Sequence, residues 1–108
     1  LYLYKGQAYA RTRLIKIKKS KTNWYQFIQE KEISLNQLDA ILMRKNPPFN
    51  MEFIYVTYIL EHAEKNGVLI INKPRSLRDC NEKMVISYFS DITPETLVTR
   101  NMFKIRLF

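Results

Sequence analysis

An arginine that closes an apolar run is the residue in this chain best suited to hold an anion. Ala40-Ile41-Leu42-Met43 runs directly into Arg44-Lys45-Asn46-Pro47-Pro48-Phe49-Asn50, so a strand-like segment ends in two cations, a proline loop and a helix cap. In open α/β sheets, ligands bind beyond the carboxyl ends of the strands. A guanidinium there can grip a carboxylate or phosphate through two parallel hydrogen bonds. The helix expected after Pro48 would add its free N–H groups and positive dipole end to the same crevice. A second reading stays open: Arg44 could pair with a structural carboxylate such as Glu52.

The other candidates are weaker in isolation. Lys83 follows Asp79 by four residues, which on a helix makes an ordinary exposed ion pair worth tenths of a kcal/mol at most. His62 is the only histidine and has no metal-spaced Cys or carboxylate companions; it reads as a helix-surface residue. Cys80 falls on an apolar stripe and reads as a buried thiol rather than a nucleophile. Two glycines, Gly6 and Gly67, exclude a P-loop and a GxGxxG turn. One histidine without a nucleophile elbow leaves no Ser-His-Asp arrangement to argue.

Positioning Arg44 requires a strand before it and a helix after it, and the surrounding pattern supplies both. Ala40 to Met43 is the kind of continuous run that a parallel sheet buries on both faces. Pro47 and Pro48 stop it, and Asn50 can cap a helix over about Met51 to Asn66, with Phe53, Val56, Leu60 and Ala63 on one stripe. Gly67 suits the position just past that helix. Val68 to Ile71 then gives a second buried strand, so a right-handed βαβ unit is expected. Upstream, Leu1 to Tyr4 and Ala8 to Lys18 flank Lys5-Gly6 as a hairpin, Trp24 to Ile28 reads as a strand, and Gln29 to Glu32 as a charged loop. Downstream, Ser76 and Asp79 suggest a capping box opening a helix with Leu77, Cys80, Met84, Val85, Tyr88 and Phe89 inward. Thr96 to Thr99 reads as a short strand, and Asn101 can cap a last helix.

A chain of 108 residues provides one core and little more. It starts at Leu1 inside a strand pattern and stops on the apolar Phe108, so a piece of a longer protein is expected. No apolar stretch approaches the roughly 20 residues needed to span a bilayer. The single cysteine rules out an internal disulfide and fits a reducing compartment, so the cytoplasm is the expected location. The net charge of +8 raises the question of nucleic acid, with Arg11, Arg13, Lys16, Lys18, Lys19 and Lys21 as its densest cluster. No aromatic residue interrupts that cluster to stack a base, and a charged strand edge that deters pairing between molecules is the better account of it.

The runs Leu38 to Asn50, Glu52 to Tyr55, Thr57 to Glu61, Asn72-Lys73-Pro74, Ser76 to Lys83 and Thr93 to Asn101, with the hairpin at Leu1 to Lys18, together resemble the bacterial glutathione synthetases, a family of ATP-grasp ligases. The resemblance covers essentially the whole chain. It implies an α/β fold: an incomplete Rossmann-like pre-ATP-grasp domain over residues 1–78, with a mostly parallel sheet, the βαβ unit and the basic hairpin. Residues 79–108 would begin the ATP-grasp domain with its first helix and strand. It implies joining of γ-glutamylcysteine to glycine with ATP and Mg2+ (or Mn2+) through an acyl phosphate. On this resemblance Arg44 contacts the γ-glutamyl end of the dipeptide and Lys83 the ATP phosphates, while the metal ligands and the glycine-rich phosphate loop lie outside these residues. Small-molecule substrates, a homo-oligomer and no nucleic-acid or membrane partner are implied as well, and the chain alone would be inactive. Asn46 and Asn50 stand where the family usually has acidic residues, and Met102 to Phe108 is more apolar than usual. A basic nucleic-acid-binding module and a non-catalytic remnant of the ligase are the alternatives.

Overall fold

The computed structural model describes residues 1–46, 48–81 and 83–108. Pro47, one of the two prolines expected to stop the run before Arg44, lies outside the described residues.

β1 (Tyr2–Tyr4) and β2 (Gln7–Ile17) form the expected hairpin, with Tyr4 opposite Gln7. Its turn holds Lys5 at φ 47° and Gly6 at φ 76°, the left-handed pair that matches the twist of a two-residue hairpin. Glycine takes that conformation freely and lysine does not, so any strain in the turn falls on Lys5. β3 (Tyr25–Ser34) is longer than its apolar run suggests. Gln29 to Glu32, expected as a loop, is strand, with Glu30 opposite Arg13 and Glu32 opposite Arg11. Opposite charges facing each other across a ladder stabilise the pairing, and that gain is invisible from the periodicity of one strand. The register shifts between Leu14 and Ile15, as a bulge does. The sheet order is β1-β2-β3, all antiparallel. β2 is therefore central at its base, and its other edge opens only past Tyr9, where β1 stops.

β4 (Ala40–Leu42), α1 (Met51–Lys65) and β5 (Leu69–Ile71) form the βαβ unit, with Ala40 opposite Leu69 and Leu42 opposite Ile71 in parallel. The expected mostly parallel sheet is corrected here: these two strands alone are parallel, and the three-stranded sheet is antiparallel. The run is not buried on both faces either. Ile70 is 3% exposed, while Leu42 on the opposite face is 66% exposed, because α1 covers only one side. At the start of α1 the Asn50 side chain accepts from the Phe53 N–H at 3.0 Å. At its end Gly67, at φ 94°, donates to the Glu64 carbonyl at 2.9 Å. The core joins α1 to both sheets through Ala8, Ala10, Leu35, Leu60, Ala63, Val68 and Ile70. Thr57, not on the expected stripe, is fully buried with them.

The last part departs most from expectation. α2 (Pro74–Asp79) begins two residues before Ser76, with no side-chain cap, so the capping box does not form. Proline at the first turn starts it instead, since its missing N–H would be unpaired there anyway. The continuous helix through Phe89 is replaced by α2 and a separate 3-10 segment at Val85–Phe89. Thr96 to Thr99 is not a strand, having no partner strand to complete a ladder. α3 (Met102–Leu107) does form, capped by Asn101, whose side chain accepts from the Phe103 and Lys104 N–H groups. None of the described residues from Asn81 onward is buried. Cys80 is exposed, a correction to the buried thiol: no helix packs over the stripe that would have covered it.

Candidate functional site

Parallel pairing aligns two strand ends. Met43 N–H donates to the Ile71 carbonyl at 2.7 Å, so Arg44 leaves β4 beside the point where Asn72 and Lys73 leave β5. α1 starts at the same edge, because a helix that returns the chain between parallel strands must begin at their carboxyl ends. Its first turn carries Glu52, which the dipole favours.

The question raised by the sequence was which cation takes Glu52. It is Lys45, whose ammonium lies 2.6 Å from the Glu52 carboxylate; hydrogen bonding and charge from Lys45 hold that carboxyl below its usual range. Arg44 is exposed and has no ion pair among the described residues. The structural-pair reading of Arg44 with Glu52 is thereby lost. Arg44, Lys45 and Glu52 line one side of a cavity of about 460 Å³, whose other walls are largely apolar and come from β2, β4 and α1, with Thr12 among them. A second cavity, of about 330 Å³, is lined by Asn72, Lys73, Ser76, Leu77 and Cys80. Sequence reading used Asn72 and Lys73 only in the Asn72-Lys73-Pro74 run that carries the resemblance and gave them no place in a site. Their closeness to Arg44 depends on parallel register, which a single strand does not encode.

Lys83 is exposed in the turn after α2 and does not line the Arg44 cavity. Its expected ion pair with Asp79 is absent, since Asp79 takes Arg75 at 3.2 Å and the helix ends before Lys83. Arg78, which sequence reading did not single out, ties α2 to α1. Its guanidinium donates to Thr57 Oγ1 at 2.9 Å and to Glu61, and lies 4.4 Å from the centre of the Tyr58 ring. Thr57 and Glu61 are one turn apart on α1, which was the available signal, but only tertiary packing brings Arg78 to them. His62 is half-buried on α1. Among the described residues no group of three His, Cys, Asp or Glu side chains converges as metal ligands would.

The basic strand is partly neutralised from within. Glu30 accepts from Arg11 at 2.7 Å and from Arg13 at 2.5 Å, and these bonds hold its carboxyl below the usual range.

Residues 1–78 match the family model for the N-terminal domain of prokaryotic glutathione synthetase. The chain belongs to this family. Over all 108 residues it is 68% identical to the glutathione synthetase of Buchnera aphidicola subsp. Acyrthosiphon pisum (strain APS), covering 34% of that protein. Over the same 108 residues and the same 34% share, it is 58% identical to the Citrobacter rodentium glutathione synthetase and 56% to that of Escherichia coli (strain K12). The chain thus spans about a third of the length of these glutathione synthetases. Arg44 lies within the segment matched to the N-terminal domain, and Lys83 lies beyond it. The nucleic-acid alternative is not favoured by these relatives.

Proposed function

We propose that this chain supplies part of the dipeptide site of an ATP-dependent ligase that joins γ-glutamylcysteine to glycine. The observation that carries this reading is Arg44: in a glutathione synthetase N-terminal domain, it stands at a strand end beside the start of α1 while Lys45 takes the nearby carboxylate. A free guanidinium there suits a carboxylate of the γ-glutamyl moiety. Phosphoryl transfer from ATP to the cysteinyl carboxylate gives an acyl phosphate and ADP. The glycine amine then attacks the acyl carbon and phosphate leaves. Lys83, at the start of the ATP-grasp region proposed for residues 79–108, would offset phosphate charge, as a compact ammonium does. Residues 1–78 would be a Rossmann-like pre-ATP-grasp domain, for which the parallel βαβ unit is the support. Mg2+ or Mn2+ would shield phosphate charge when bound, and no residue described here is assigned to it. The single cysteine, which fits a reducing compartment, supports a cytoplasmic location.

The test replaces the matching 108 residues of the Escherichia coli relative with this chain and assays ADP release with γ-glutamylcysteine and glycine. Ligation by the chimera supports the reading. A folded chimera that binds ATP but not the dipeptide overturns it and favours a remnant that has lost its substrate site.

A further inference from the structure

Arg78 is held on three sides by α1. Its guanidinium donates to Thr57 Oγ1 at 2.9 Å and to Glu61, and it lies 4.4 Å from the centre of the Tyr58 ring. The Thr57 hydroxyl is fully buried and gives its own proton to the Ile54 carbonyl at 2.6 Å, so toward Arg78 it can only accept. A planar fork that must meet both acceptors has little freedom to turn. Beyond Asp79 the hydrogen bonds among the described residues are all local, none spanning more than four residues. The bonds of Arg78, which reach 21 and 17 residues back along the chain, are thus the last polar hold on another element before Lys83. Lys83 stands five positions further on, and its N–H donates to Asn81 Oδ1 at 2.9 Å. Five residues fully extended reach about 17 Å, and that turn shortens the reach.

We propose, on the reading that Lys83 meets the ATP phosphates, that Arg78 is a positioning residue for Lys83. One helix serves as the frame for both substrates. α1 starts at the strand edge where Arg44 stands, and further along its length Thr57 and Glu61 hold Arg78. Lys83 is therefore placed relative to that edge through α1 rather than through contacts of its own side chain, which is exposed and makes no ion pair among the described residues. Catalysis of phosphoryl transfer is almost entirely positioning and charge, and a misplacement of about 1 Å caused far from the chemistry can cost roughly 100-fold. Arg44 leaves the end of β4 and does not touch Arg78. Loss of the clamp should accordingly be felt by ATP and not by the dipeptide, whereas a clamp that only stabilises the fold would leave both substrate dependences alone.

Initial rates on the protein at its full natural length, with ATP and dipeptide varied separately, test it. Arg78→Ala should lower kcat/KM for ATP roughly 10- to 100-fold with the KM for γ-glutamylcysteine unchanged, and Arg78→Lys should recover part of the loss. Thr57→Val keeps the side-chain volume and removes one acceptor, so it should give a smaller loss of the same kind, even if Arg78→Ala does not fold. In a Lys83→Ala background Arg78→Ala should cause no further loss, because its effect passes through Lys83. Val68→Ala, a change in the core that lines neither cavity, is the stability control and should leave both KM values unchanged, with circular dichroism verifying that each variant is folded. A wild type that does not join γ-glutamylcysteine to glycine overturns the ligase reading and this proposal with it. With an active wild type, the proposal alone is overturned by unchanged ATP dependence in the clamp variants, by equal losses for ATP and dipeptide, or by an undiminished Arg78→Ala loss in the Lys83→Ala background.

Discussion

Arg44 and Lys45 are adjacent cations with different fates, and geometry separates them. Lys45 reaches Glu52 in the first turn of α1, while Arg44 has no ion pair among the described residues, and on the proposed function its more directional guanidinium holds the dipeptide. In the chimeric enzyme, Arg44→Ala is expected to raise the dipeptide KM with the ATP KM unchanged. Losing a bidentate anion contact costs about 1.5–3 kcal/mol, roughly 10- to 150-fold. Glu52→Gln is expected to leave that KM within about twofold, since it releases Lys45 and not Arg44. Equal losses in both variants would mean that the whole Lys45–Glu52 corner, not Arg44, holds the substrate. For Lys83→Ala the expected effect is weaker ATP dependence at an unchanged dipeptide KM, read by initial rates at varied ATP. Sequence reading in isolation gave Lys83 an ion pair with Asp79; the helix stops too soon for that pair to form.

Between elements, the Arg78 clamp joins α2 to α1. Its guanidinium is 17% exposed and Glu61 23% exposed, so replacing one partner strands a largely buried charge. Arg78→Ala is expected to cost about 1–3 kcal/mol, below the range for fully buried pairs, measured by urea unfolding. Arg78→Lys should recover only part of it, because one ammonium cannot serve Thr57 and Glu61 together as the fork does. In the ribbon, Glu30 has a depressed folded pKa from its bonds to Arg11 and Arg13. A depressed carboxylate contributes stability that is present above its unfolded value and lost as pH falls through the folded one. Lowering the pH through the carboxylate range should therefore loosen β2 from β3. Glu30→Gln should flatten that acid dependence in amide exchange of Arg11 to Leu14, while an unchanged profile would assign the ribbon's stability to its apolar pairs. The exposure of the pair keeps the effect small and sensitive to salt.

The whole molecule is drawn out, with a radius of gyration of 19.3 Å and extents of 57 × 42 × 25 Å, against about 13 Å for a compact chain of this length. One core holds it together, at the junction of α1 with both sheets, so Leu60→Ala there is expected to cost about 2–5 kcal/mol in urea unfolding. What the sequence by itself determined is what local chemistry controls: the Lys5-Gly6 hairpin, the Asn50 and Asn101 caps, the Gly67 stop and the helix between two short apolar strands. Family membership was equally legible, because runs such as Met43-Arg44-Lys45 and Asn72-Lys73-Pro74 survive as linear text. Tertiary structure alone decided which charges are paired. Glu30 turned an expected loop into strand, Glu52 chose Lys45 over Arg44, and Arg78 found Thr57 and Glu61 across 21 and 17 residues of chain. It also decided burial: Leu42 and Cys80 lie in apolar patterns yet stay exposed, because a pattern states which face prefers cover and only packing provides it. Long-range pairing depends on where two segments meet in space, and no local window of residues carries that distance.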